Sequence, residues 1–184
     1  MRAFVAIEMD EPIRRALAGL IEELNRPPLP VKWVAPENIH LTLKFLGDVA
    51  EERVGETVQI VRDCAQGIKP FALAICGTGA FPNAQRPRVI FAGAQDERDA
   101  AHELARRLED RMEALGIERE ERPFQCHVTL GRLREPRALP ALAAKMASAA
   151  THDFGMMTVT HVTLIESTLT PQGPIYRPVE QVLL

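Results

Sequence analysis

The sequence of 184 residues predicts an α+β protein built as two lobes, each with an antiparallel sheet and helices, around a central cleft. Three observations predict this fold. The order of strands and helices in the second half copies the order in the first half. A strand with the pattern His-x-Thr occurs at His40 and again at His127, a separation of 127 − 40 = 87 residues, and the same shift carries Phe4 onto Phe91. We therefore expect residues 1–184 to form one bilobal domain with an internal repeat of about 87 residues and a pseudo-twofold axis.

The first half begins with a strand and a helix. Residues 2–8 (RAFVAIE) are a short apolar run that is typical of a strand. Residues 10–25 predict a helix, because Asp10 suits the cap position, a proline follows in the first turn and apolar residues recur on one stripe. Residues 38–49 (NIHLTLKFLGDV) alternate apolar and polar side chains, which predicts a half-buried strand. The other elements expected in this half are a helix at about 50–66 and strands at 70–81 and 87–95.

The second half repeats this order and adds a third copy of the tetrapeptide, HVTL at 161–164. The expected elements are a helix at 96–115, a strand at 124–133, a helix at 136–150 and strands near 154–167 and 175–183. The shift of 87 residues carries Ala74 onto His161, and the strand around Ala74 contains no histidine. His40 and His127 are therefore the predicted functional pair, and His161 and Thr163 are predicted to stand outside it.

Composition limits the classes of function. The net charge is −3, so the molecule has no general basic field that would attract nucleic acid, and any site for a polyanion must be local. Its three cysteines form no C-x-x-C pair, which argues against a disulfide framework and a cysteine-built zinc site. There is neither a signal-peptide pattern nor an apolar run of the roughly 18 residues that a membrane span needs. We expect a soluble cytoplasmic protein with reduced thiols.

The His-x-Thr pattern on a strand predicts a specific chemical arrangement. Side chains two residues apart leave the same face of a strand, so His40 lies beside Thr42 and His127 beside Thr129. Two such motifs facing one cleft suit a phosphodiester. A neutral imidazole can accept a proton from the nucleophile, a protonated one can donate to the leaving oxygen, and threonine hydroxyls can donate hydrogen bonds to the non-bridging oxygens. Neither motif carries further ligands at metal-binding spacing, so we expect no metal.

Two stretches around these motifs carry a family resemblance. HLTLKFLGDV at 40–49 and PFQCHVTLGRL at 123–133 resemble the paired signatures of the 2H phosphoesterases, specifically the bacterial and archaeal 2′-5′ RNA ligase family, also described as RNA 2′,3′-cyclic phosphodiesterases. The likeness extends from MRAFVAIE at the start to LIESTLTPQGPIYRPVE near the end. The resemblance implies a bilobal fold with both motifs lining a central cleft.

The resemblance also implies an activity. It implies that a terminal 2′,3′-cyclic phosphate of RNA, as on tRNA halves, is opened to a 2′-phosphate, and that such an end can be joined to a 5′-hydroxyl by a 2′-5′ bond. His127 would then activate water and His40 would protonate the leaving 3′-oxygen. No cofactor is implied, because the strained cyclic phosphate is itself the activated group, and the sequence has no G-x-x-x-x-G-K-[ST] loop. We expect a monomer.

Several other residues are candidates for substrate contact. Lys44 shares the polar positions of its strand, so it is expected either to approach phosphate or to be solvated. Arg132 would fall on the face opposite Thr129 unless the strand bulges at Gly131, and the resemblance makes it a phosphate or RNA contact. Phe45 is expected in the core. The last two candidates, Arg86 and Arg88, either guide the RNA backbone or belong to a plain polar turn.

Two other functions fit the same residues. One is a 2H phosphodiesterase for a small cyclic phosphate or a cyclic nucleotide, which differs from the RNA enzyme in its activity on mononucleotides. The other is a non-catalytic module that binds RNA ends, which turnover would exclude.

Overall fold

The computed structural model describes all 184 residues as two antiparallel sheets and four α-helices, which confirms the α+β class. The strands are β1 (Arg2–Glu8), β2 (Lys32–Trp33), β3 (His40–Asp48), β4 (Phe71–Phe81), β5 (Val89–Gln95), β6 (His127–Arg132), β7 (Asp153–Val159), β8 (His161–Thr170) and β9 (Gly173–Leu183). The helices are α1 (Glu11–Leu24), α2 (Val54–Ala65), α3 (Ala100–Glu113) and α4 (Pro140–Ser148). None of these helices combines the length and the apolar character needed to cross a bilayer.

The two sheets have the same strand order once the repeat is applied. The four-stranded sheet has the order β3-β1-β8-β9, and the five-stranded sheet has the order β2-β6-β5-β4-β7. A shift of 87 residues carries β1 onto β5, β3 onto β6 and β4 onto β8, so these three strands hold equivalent places in the two sheets, whereas β2, β7 and β9 lie outside this correspondence. Strand β4 from the first half therefore lies in the second lobe, and β8 lies in the first. The halves of the sequence are not the lobes of the fold.

The helices are exchanged in the same way. Helices α2 and α3 pack against the four-stranded sheet, whereas α1 and α4 pack against the five-stranded sheet. Each sheet is thus covered by one helix from each half of the sequence. Most buried apolar residues form a single cluster of 40, and a small separate cluster of Phe4, Ala6 and Ile165 lies on the opposite face of the four-stranded sheet.

Two expectations about strands are corrected by the structure. The single strand expected near 154–167 is two strands, β7 and β8, which part at Thr160 and join different sheets. No glycine, proline, asparagine or aspartate stands at this point, so the sequence shows no turn where the chain crosses between the lobes. Strand β2 was not expected, because two residues are too few to show alternation.

The helix starts follow from local side-chain caps. Asp10 accepts a hydrogen bond from the Ile13 N–H at 3.1 Å, as the sequence predicts. The second long helix was expected from residue 96 but begins at Ala100. The carboxylate of Asp96 accepts the N–H groups of Ala100 and Ala101 at 2.7 and 3.2 Å, so residues 96–99 form a capping turn before α3.

Candidate active site

A β-bulge in β3 decides which side chains share the face of His40. Ala6 of β1 pairs with Thr42 and Val5 pairs with Lys44, which leaves Leu43 without a partner. Successive residues of β1 point to opposite faces, so Thr42 lies on the face of Ala6 and Lys44 on the face of Val5. The side chain at Lys44 therefore turns away from the cleft.

The prediction that Lys44 contacts phosphate is wrong. Its side chain is buried, with the residue only 2% exposed, and its Nζ donates hydrogen bonds to Glu109 Oε1 at 3.1 Å and to the Glu118 carbonyl at 2.8 Å. The same bulge corrects a second expectation. Phe45, expected in the core, lies on the cleft face, is 49% exposed and has its ring centroid 6.1 Å from that of Phe4.

The equivalent bulge in β6 turns Arg132 toward the face of the histidine, whereas the bulge in β3 turns Lys44 away from it. Phe91 of β5 pairs with Thr129 and Ile90 pairs with Gly131, so the extra residue lies between Thr129 and Gly131. Arg132 is thereby returned to the face of Thr129. Gly131 itself faces the other way, where a Cβ would approach the Trp33 ring to 2.7 Å.

His40 is held at the edge of the cleft by its backbone and by two aromatic rings. Its Nδ1 lies 2.7 Å from the Asn38 carbonyl, and because a carbonyl only accepts, Nδ1 carries the hydrogen. Its Nε2 lies 2.9 Å from Thr42 Oγ1. The imidazole stacks on Phe4 with centroids 4.8 Å apart and meets the edge of Tyr176 at 5.4 Å. In the neutral ring, Nε2 is therefore the acceptor, and the Thr42 hydroxyl donates to its lone pair.

His127 is held in the same way. Its Nδ1 lies 2.7 Å from the Gln125 carbonyl, two residues before it, as Asn38 is before His40. The rings of Phe81 and Phe91 contact the imidazole with centroids 5.2 and 5.3 Å away. Because Phe91 is equivalent to Phe4 under the shift of 87 residues, the repeat signals this pair of supporting rings. No sequence signal identifies Phe81 or Tyr176 as supports.

The charges around the two histidines act on both of them. Burial lowers the pKa of His40 and of His127, the backbone hydrogen bonds oppose this effect, and the positive charge of Arg132 lowers both values further. Glu8 raises the pKa of His40 by a smaller effect. Burial and the neighbouring charge of Arg88 also lower the pKa of Arg132 itself. The charge of Arg132 thus acts on both histidines.

The third copy of the motif borders this region without completing it. Thr163 Oγ1 donates a hydrogen bond to Glu8 Oε2 at 2.7 Å, and His161 Nε2 lies 3.9 Å from the same carboxylate oxygen. Strand β1 separates β8 from β3, so His161 is two strands from His40. No three His, Cys, Asp or Glu side chains come together as a metal-binding group anywhere in the chain.

The model of the LigT like Phosphoesterase family matches residues 7–91 of this chain and, a second time, residues 93–176. This chain belongs to the LigT-like phosphoesterase family. The first match contains the His40-x-Thr42 strand, and the second contains the His127-x-Thr129 strand together with the third copy at His161. In the LigT-like fold of this chain, both strands carry the same bulge, the same backbone contact to the histidine and an equivalent phenylalanine.

Known proteins resemble this LigT-like chain over its full length. It is 37% identical over 180 residues to the RNA 2′,3′-cyclic phosphodiesterase of Methanothermobacter thermautotrophicus, covering 98% of this chain and 97% of that protein. It is 32% identical to the enzyme of the same name from Aquifex aeolicus, covering 100% and 97%. Among solved structures, TT0787 of Thermus thermophilus superimposes with a TM-score of 0.81 at 33% identity, covering 100% and 98%. E. coli LigT complexed with 3′-AMP gives 0.81 at 26%, covering 100% and 97%.

Proposed function

We propose that this protein is an RNA 2′,3′-cyclic phosphodiesterase that opens a terminal 2′,3′-cyclic phosphate to a 2′-phosphate. The observation that carries the proposal is the pair of equivalent histidines, each with its Nδ1 on a backbone carbonyl, which leaves Nε2 as the nitrogen that exchanges a proton, and both under the charge of Arg132. The names of the relatives from M. thermautotrophicus and A. aeolicus support the same activity.

The proposed reaction moves one proton at each histidine. Nε2 of neutral His127 accepts a proton from water as the water oxygen bonds to phosphorus. The bond from phosphorus to the 3′-oxygen breaks, and protonated His40 donates its Nε2 proton to that oxygen, leaving a 2′-phosphate. The hydroxyls of Thr42 and Thr129 donate hydrogen bonds to the non-bridging oxygens, where negative charge develops. A 5′-hydroxyl in place of water would give a 2′-5′ bond by the same proton transfers.

The experiment uses an oligoribonucleotide that ends in a 2′,3′-cyclic phosphate, incubated with the protein in EDTA. We expect a 2′-phosphate product that separates from the 3′-phosphate isomer. His40→Ala and His127→Ala should each lower the rate by at least about 100-fold, because each removes one proton transfer worth roughly 10²–10⁴-fold. His152→Ala, at an exposed histidine in the turn before β7, is the matched control and should keep the wild-type rate.

Three outcomes would contradict the proposal. A 3′-phosphate product would show that the 2′-oxygen leaves and not the 3′-oxygen. A single histidine variant with a near wild-type rate and a normal circular dichroism spectrum would show that the two histidines do not act together in the reaction. Activity that returns from EDTA only with added metal would reject a mechanism based on these side chains alone.

The proposal extends to the setting of the enzyme. We place it in the cytoplasm as a monomer that acts on RNA ends such as those of tRNA halves. The three cysteines are free thiols in the structure, which suits a reducing compartment.

A further inference from the structure

Three cations near the end of β6 have no carboxylate partner. Lys32, Arg88 and Arg132 take part in no ion pair, and no side-chain hydrogen bond from any of them is made within the chain. The arginines of α3 behave differently, since Arg106, Arg107 and Arg111 are all paired with acids. What sets these three apart is that they are neighbours across adjacent strands, β2, β6 and the start of β5, in a chain whose net charge is −3.

The strand pairing places Lys32 beside Arg132. The two residues are direct partners in the β2–β6 ladder, and Trp33 is the partner of Gly131. Direct partners in an antiparallel pair point to the same face, with strands about 4.8 Å apart. Lys32 therefore continues the cleft face of Arg132 onto the next strand.

The position of β2 is fixed by close packing. A Cβ on Gly131 would lie 2.7 Å from Trp33 Cε3 and 2.7 Å from Val31 Cγ1. The space beside Gly131 is therefore occupied by the side chains of the two residues that flank Lys32. Like charges directly opposite each other on a sheet are destabilising. This packing nevertheless fixes the backbone of Lys32 opposite that of Arg132, so both cations leave the same face, and the charge of Arg88 also acts on Arg132. A bound anion would relieve that repulsion.

The spacing from the reacting phosphate matches one nucleotide step. Thr129 pairs with Phe91 and Arg132 pairs with Val89, so the partner strand advances by two residues, or about 7 Å, between them. If Thr129 holds the reacting phosphate, Arg132 and Lys32 lie where the next phosphate of an RNA strand would arrive.

We propose that Lys32, together with Arg88 and Arg132, binds the phosphate on the 5′-oxygen of the terminal nucleotide. This subsite rests on the proposed function, since the cyclic phosphate at the histidines sets its distance. It makes the enzyme selective for oligonucleotides and 5′-phosphorylated ends over simple nucleoside cyclic phosphates. RNA is thereby recognised through its backbone, in a way that does not depend on base sequence.

Two pairs of probes test the subsite. The first pair is adenosine 2′,3′-cyclic phosphate with a 5′-hydroxyl or a 5′-phosphate, compared by kcat/KM. The second pair is adenosine 2′-phosphate and adenosine 2′,5′-bisphosphate, compared by titration calorimetry. The 5′-phosphate should improve kcat/KM and affinity by about tenfold or more, the scale of a hydrogen bond to a charged group. The gain should shrink as salt concentration rises.

Variants of Lys32 test whether this residue causes the gain in kcat/KM and affinity from the 5′-phosphate. Lys32→Ala should reduce the ratio between the two members of each pair toward one, while Lys32→Arg should retain most of it. Lys69→Ala removes an exposed lysine that also lacks an acidic partner but lies outside the cleft, and it should keep the wild-type ratio. Thermal denaturation of each variant distinguishes loss of the subsite from loss of the fold.

The outcomes separate the two proposals. A wild-type ratio near one, or an unchanged ratio in Lys32→Ala, overturns the subsite even if both cyclic phosphates are hydrolysed. Absence of turnover on the oligoribonucleotide that ends in a cyclic phosphate rejects the phosphodiesterase, whereas the calorimetric ratio still decides whether the cations bind a 5′-phosphate.

Discussion

Replacing Lys44 with methionine separates its structural role from the role in phosphate binding that its strand position predicts. Lys44→Met keeps an unbranched chain as far as Cε, with sulfur in place of the Cδ methylene, and removes the ammonium. Its partner Glu109 is left without a counter-charge at 18% exposure, and the Glu118 carbonyl loses a donor. Breaking a buried pair costs about 3–5 kcal/mol. We expect the lower end, about 3 kcal/mol, because Glu109 still accepts the Glu120 N–H and keeps some contact with water.

The assay is thermal denaturation combined with steady-state hydrolysis of a cyclic-phosphate end. For a chain of this size, a loss of about 3 kcal/mol lowers Tm by roughly 6–12 °C. Below that temperature, kcat/KM should equal the wild-type value. Lys69→Met, at an exposed lysine, should change the free energy of unfolding by less than about 0.5 kcal/mol. Adding Glu109→Gln to Lys44→Met should recover part of the loss, since the amide oxygen still accepts the Glu120 N–H without leaving a buried charge. Lost activity at an unchanged Tm would show that Lys44 reaches the substrate and refute the bulge argument.

The remaining predictions concern the charge and the support of the histidines. Because burial and Arg132 lower the pKa of both imidazoles, both limbs of the pH profile of kcat/KM should lie below 6.5 in the free enzyme. Arg132→Met removes a positive charge that disfavours the imidazolium, so both limbs should move to higher pH. Arg132→Lys keeps the charge and should leave both limbs in place. An unmoved pH profile in Arg132→Met would show that this charge does not act on the histidines. In Gly79→Ala, the new Cβ would lie 2.3 Å from Phe91 Cζ and displace the ring that supports His127, which should cost about 1–3 kcal/mol and lower kcat. Gly19→Ala, whose Cβ meets nothing within 4 Å, is the control, and equal behaviour of the two alanine variants would rule out the displacement.

The sequence predicts the type of most elements because each depends on local alternation or capping. The bulges depend instead on pairing between strands that are far apart in the chain. Local alternation alone places Lys44 with Thr42 and buries Phe45, and both positions are reversed by one unpaired residue, Leu43. For Arg132, the glycine at the preceding position gave a reason to consider a bulge. No comparable residue follows Thr42, so nothing in the first motif indicates the shift.

The exchange between lobes explains both what the repeat predicts and what it hides. The repeat identifies equivalent strands correctly, since β4 and β8 hold the same place in the two sheets. It does not show that each half gives strands to the other lobe, β2 and β4 from the first half and β8 and β9 from the second, because an exchanged and an unexchanged pairing have the same sequence pattern. The consequence for the site is direct. The sheet that carries His40 is completed by β8 and β9 and covered by α3, all from the half that carries His127. The contact between Lys44 and Glu109 spans the same exchange. Neither half can therefore bury its own core, and the two histidines are positioned by one cooperative structure.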